Sequence, residues 1–234
     1  MLRKILILAA LLISVLGLSI FTATAQCTPT PGTGSSTNDT ITCSGDDPDG
    51  VNTGTGTDVV NVVSGTVLNA ILSEGGTLTV TINGGAIDTT LAATGAVGIQ
   101  GSGTIIARGD MRSGGYTIII AGSGVIDSIG NIIGTLGSLF VDGDGSITSV
   151  GDLSATDIAG ISIYMGGSGT VTSAGNINGG SFGILVNGGG TINSVGNVSG
   201  GVHGIFLDKD GIINTTGDVF GGTSGLYLGG DGTI

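Results

Sequence analysis

Residues 190–207 read Gly-Thr-Ile-Asn-Ser-Val-Gly-Asn-Val-Ser-Gly-Gly-Val-His-Gly-Ile-Phe-Leu. Residues 211–228 read Gly-Ile-Ile-Asn-Thr-Thr-Gly-Asp-Val-Phe-Gly-Gly-Thr-Ser-Gly-Leu-Tyr-Leu, the same unit 21 positions later. Outward from this pair, Gly109, Gly130, Gly151, Gly175, Gly196 and Gly217 lie 21, 21, 24, 21 and 21 residues apart. A second glycine column, Gly103, Gly124, Gly145, Gly169, Gly190, Gly211 and Gly232, keeps the register. It is followed by an unbroken aliphatic column: Ile105, Ile126, Ile147, Val171, Ile192, Ile213 and Ile234. Further apolar columns pass through Val198, Ile205 and Leu207. One such unit is too short to bury its own apolar face, and stacking successive units joins these columns into a continuous core. Residues one apart from a common neighbour, such as Ile205 and Leu207, point the same way in a strand. The expected fold is therefore all-β, a parallel β-solenoid with coils of about 21 residues, three short strands per coil and glycine at the corners. Eight coils at ~4.8 Å each give a rod on the order of 40 Å long. The array is expected to span residues 59–234 and to stop in the middle of a coil. The longer spacing between Gly151 and Gly175 predicts a bulge near residues 155–157.

Composition narrows the function classes. Glycine accounts for 50 of 234 residues, about three times the usual ~7% share. There are only 5 Lys and Arg against 17 Asp and Glu, and the formal charge is −12. A nucleic-acid binder needs a basic face to displace counterions, and so few cations cannot build one. Three prolines exclude a collagen triple helix. A hydrophobic share of 39% is too high for a disordered acidic chain.

The N-terminus carries its own message. Arg3 and Lys4 precede an apolar stretch over residues 5–20, and Ala23 and Ala25 supply the small residues that signal peptidase accepts. Residues 1–25 are read as a signal peptide. An uncleaved anchor is the other reading of such a stretch, but this one is at the short limit of a bilayer span and lacks a basic flank afterwards. Cleavage leaves three cations against 17 carboxylates, a formal −14, and no transmembrane segment in the mature chain. The expected location is secreted, extracellular or at the cell-envelope surface. In that compartment Cys27 and Cys43 are expected to form a disulfide. It would pin residues 26–58, a polar leader or cap rich in Thr, Gly and Asp.

Next to the first glycine column runs Asp110, Asn131, Asp152, Asn176, Asn197 and Asp218. Stacked side chains of this kind can hydrogen-bond from coil to coil and satisfy turn backbone. No two Asp occupy neighbouring coils, which avoids stacking like charges. The column is read as a structural ladder. Between two inward columns lie Ile119, Phe140, Tyr164, Leu185, Phe206 and Tyr227, expected as an exposed stripe and a candidate interface.

The runs at residues 190–194 and 200–207 resemble those of bacterial autotransporter passenger domains and related surface adhesins. The likeness covers residues 75–234. It implies a right-handed parallel β-helix at the cell surface that meets other surface proteins, glycans or further copies of itself. Such passengers end in a membrane β-barrel, whereas this sequence ends at Gly232-Thr233-Ile234. A shorter stretch, residues 54–61, is similar to a calcium-binding nonapeptide repeat.

Chemistry-bearing residues are few. Asp208, Asp210 and Asp231 share one corner of two adjacent coils, and oxygen ligands so placed suit weak Ca²⁺ binding. No other cofactor is expected. Carbohydrate-active β-helices use carboxylates with a nearby Arg or Lys, and the mature chain offers Arg108, Arg112 and Lys209 alone. His203 lies in a column with Phe182 and Ser224, with no carboxylate partner in that column. No catalytic residue is assigned. The expected function is a structural or adhesive rod without catalysis, with a carbohydrate-active β-helix or a Ca²⁺-dependent surface module as alternatives.

Overall fold

Each full coil folds into three strands, broken where the sequence places glycine. In the coil quoted first these are Gly190–Val195, Val198–Gly200 and His203–Leu207. Each strand pairs in parallel with its equivalent one coil later, Ile192 with Ile213, Val198 with Val219 and Ile205 with Leu226. The computed structural model describes residues 26–28, 37–45, 50–67, 69–83, 86–89 and 95–234, so the expected signal peptide at 1–25 lies outside the described residues. Among the described residues there is no helix, and the strands form three sheets of eleven, eight and nine members. The protein is a parallel β-solenoid with coils of about 21 residues.

The six-residue strands alternate strictly, which explains the core. Ile105, Ile126, Ile147, Val171, Ile192 and Ile213 are all buried in one column. Two positions on, Ser128, Ser149, Ser173 and Ser194 are buried as well. Their hydroxyls pair inside the core, Ser128 with Ser149 at 3.0 Å and Ser173 with Ser194 at 3.1 Å. A buried hydroxyl left unpaired costs ~1–3 kcal/mol, so the serines are tolerated because they stack as a polar seam.

One corner glycine illustrates why that column admits nothing else. Gly130 has φ +130°, a backbone conformation L side chains rarely adopt, and a Cβ there would run into the carbonyl oxygen of Gly109 in the preceding coil. The 24-residue coil from Gly151 to Gly175 accommodates its extra residues in a turn at 156–160, between strands Leu153–Ala155 and Ile161–Met165.

At the N-terminal end, strand Thr55–Ser64 runs through residue 59, and the segment read as leader or cap supplies Thr40–Ser44, which joins the eleven-stranded sheet. Gln26–Thr28 lies antiparallel against it, placing Cys27 opposite Cys43, and the two are joined in a disulfide. Both sulfurs belong to buried residues continuous with Ile41, Val60 and Val62, so this crossing covers the end of the apolar core.

Candidate functional site

At the first glycine corner the backbone N–H groups on either side of the Asn/Asp column run forward to the next coil. Gly130 donates to the Val150 carbonyl at 2.9 Å and Ile132 to that of Asp152 at 2.9 Å. The residue between them points its N–H backward, where a side chain receives it. Asn131 N–H donates to Asp110 Oδ1 at 2.7 Å, Asp152 to Asn131 Oδ1 at 3.1 Å, and Asn176 to Asp152 Oδ1 at 2.8 Å. Asn197 donates to Asn176 Oδ1 at 3.2 Å and Asp218 to Asn197 Oδ1 at 2.9 Å. The six residues form one continuous ladder of side chain to backbone bonds.

A second ladder occupies the corner that holds the calcium candidates. Ser123 N–H donates to Ser102 Oγ, Asp144 N–H to Ser123 Oγ, and Ser168 N–H to Asp144 Oδ1, over 2.7–3.1 Å. In the same column Asp231 N–H donates to Asp210 Oδ1 at 2.7 Å. One oxygen of Asp210 is thus engaged in holding the next coil. Among the described residues no three His, Cys, Asp or Glu side chains gather as a metal site, Asp208, Asp210 and Asp231 included.

The stripe Ile119, Phe140, Tyr164, Leu185, Phe206 and Tyr227 is in perfect register through the nine-stranded sheet. The expectation that it is exposed needs correction. Five of the six are half-buried, and only Tyr227, at 41%, is exposed. The reason is the match between coil spacing and ring stacking. Phe140 and Tyr164 lie 4.7 Å apart and nearly parallel, and Phe206 and Tyr227 lie 4.5 Å apart with planes 6° from parallel. Stacked rings cover one another's faces and present their edges. Tyr116 joins the row 4.9 Å from Phe140, and burial, with Tyr164 adding to it, pushes its hydroxyl above the usual tyrosine range. His203 sits beside Phe182 and Phe206, its Nδ1 2.7 Å from Ser224 Oγ.

Arg108 does not turn toward Asp110. Its guanidinium reaches Asp127 Oδ2 at 2.6 Å and the Asp127 carbonyl at 2.9 Å in the next coil. Asp110 instead borders a groove of ≈490 Å³ on the eight-stranded sheet, with Asp88, Arg112, Asn131, Asp152 and Ser154 also on its walls. Strand register brings Asp88 and Arg112 together across neighbouring coils. The sequence reading missed this groove because Asp88 lies in an early coil whose turns depart from the 21-residue pattern.

No protein-family model, no curated protein and no solved structure matches the chain.

Proposed function

We propose that the chain is an exported or cell-surface rod with a structural or adhesive role and no catalysis. The observation that carries this reading is the ladder from Asp110 to Asp218, which ties each coil to the next by the same bond. The side chains that could have supplied chemistry at that corner are spent on holding coils together. An N-terminus with a basic start, an apolar stretch and Ala-x-Ala supports export. The proposed partners are cell-surface proteins or glycans, met along the row that ends at Tyr227. Binding of the exported chain to cells and immobilised glycans tests this, with polysaccharide breakdown followed in parallel. Binding that falls several-fold in Phe206→Ser with Tyr227→Ser is the expected result. Release of sugar products, or binding indifferent to that change, overturns it.

A second reading, a carbohydrate-active solenoid, draws on the groove between Asp88 and Asp152. Carboxylates beside a guanidinium on a concave surface are the groups that sugar cleavage uses. Sugar release abolished by Asp88→Asn would favour it.

A further inference from the structure

We infer that the outer face of the eleven-stranded sheet is a self-association surface on which two copies of this chain pack face to face, with their rods antiparallel. The second, fourth and sixth residues of each six-residue strand point outward there, as the burial alternation shows. From Gly103–Arg108 to Gly211–Thr216 only Arg108 and Asp127 among these outward residues are charged, and they neutralise each other. The chain as a whole carries −12. Among the described residues its other aspartates lie at the corners, on the eight-stranded sheet or, for Asp58, in the core, so this plane, like the outer face of the nine-stranded sheet, carries no net charge on an acidic molecule. A partner as acidic as this chain can approach that plane with the least repulsion.

The face also carries a group of exposed aliphatic residues in consecutive coils. Val125, Ile129, Val150, Val195 and Ile212 are 41–58% exposed, whereas the aromatic row is mostly covered by its own stacking. Apart from Ile106 and the Arg108–Asp127 pair, the remaining outward residues are short Thr, Ser, Ala and Asn side chains. Such side chains lie flat and lose little rotamer freedom on contact. Counting strands Thr55–Ser64 and Gly75–Ile82, the plane is eight strands deep. At ~4.8 Å per strand and ~3.3 Å per residue it measures roughly 750 Å². A standard interface takes about 800 Å² from each partner, so the plane is the right size for one copy of itself.

The arrangement follows from where the aliphatic residues lie. Ile129, Val150, Ala174 and Val195 occupy one edge column in consecutive coils. A two-fold axis parallel to the strands reverses the rods and lays this column on its counterpart. An axis along the rod would instead lay it on the column of Val125, Ser146, Thr170, Thr191 and Ile212, whose three central members are hydroxyl side chains. Burying aliphatic side chains against one another is the favourable match. The pairing stands on the sheet face itself and does not depend on the adhesive reading.

Sedimentation of the purified chain tests the inference. A concentration-dependent species of twice the chain mass is expected, shifting at least tenfold toward monomer in Val150→Lys with Val195→Lys. Both substitutions are on outward positions, so the circular dichroism spectrum should be unchanged, and a milder Val195→Thr variant should shift the equilibrium less. Monomer at all concentrations, or a dimer lost in Phe206→Ser with Tyr227→Ser but kept in the lysine variant, overturns the inference. A monomeric chain that still binds cells would overturn this pairing and leave the adhesive function standing.

Discussion

Asp58 Oδ1 accepts the backbone N–H of Asp39 at 3.0 Å from a position wholly buried in the apolar core. Asp58 occupies the inward column that continues as Leu78, Ile105 and Ile126. Its other carboxylate oxygen has no hydrogen-bond partner among the described residues. An acid in that column is explained by the chain above it: at this end the preceding coil is the short strand from Thr40, and the Asp39 N–H is satisfied from below.

This arrangement makes a discriminating pair of variants. Asp58→Asn keeps the acceptor oxygen for the Asp39 N–H, so its Tm should stay close to that of the parent. Asp58→Ala leaves the Asp39 N–H unpaired and opens a cavity, costing about 1–3 kcal/mol. At ~2–4 °C per kcal/mol for a domain of this size, thermal denaturation separates the two outcomes.

The Asn/Asp ladder should respond to charge rather than shape. Asn197→Asp retains the oxygen that receives the Asp218 N–H but puts two carboxylates in neighbouring coils. The corner is solvent-exposed, so the loss should be small at high salt and larger at low salt. Asn197→Ala should cost about 1 kcal/mol at any salt concentration, because it removes the acceptor outright. Denaturation at two ionic strengths distinguishes the two.

Alkaline stability should depend on Tyr116. Burial raises its folded-state pKa above that of the unfolded chain. The unfolded state then releases its proton first, so stability is fully present below about pH 10 and declines as pH rises through the folded value. Tyr116→Phe should flatten that decline in a titration of unfolding free energy against pH.

Millimolar Ca²⁺ in place of EDTA is expected to leave Tm unchanged, since Asp210 already holds the Asp231 N–H. A rise in Tm that disappears in Asp208→Asn would instead support weak Ca²⁺ binding at Asp208, Asp210 and Asp231, because a ligand bound only by the folded state must stabilise it.

The repeat period alone determined the architecture. Glycine and aliphatic columns 21 residues apart can share one face only if successive coils stack in register, and strands pair as that spacing dictates, Gly190 with Gly211 and Ile192 with Ile213. The buried serines obey the same alternation, which puts Ser128 on the side of Ile126, but their place in the core and their pairing came from the structure. Rotamers, bends and accessibility belonged to the tertiary structure. Only there does Arg108 turn to Asp127 instead of Asp110, Asp58 enter the core, and the aromatic row cover itself while the Thr and Val face opposite a different corner stays open. Period fixes which residues are neighbours, but the space left around each side chain decides which atoms meet and which remain available to a partner.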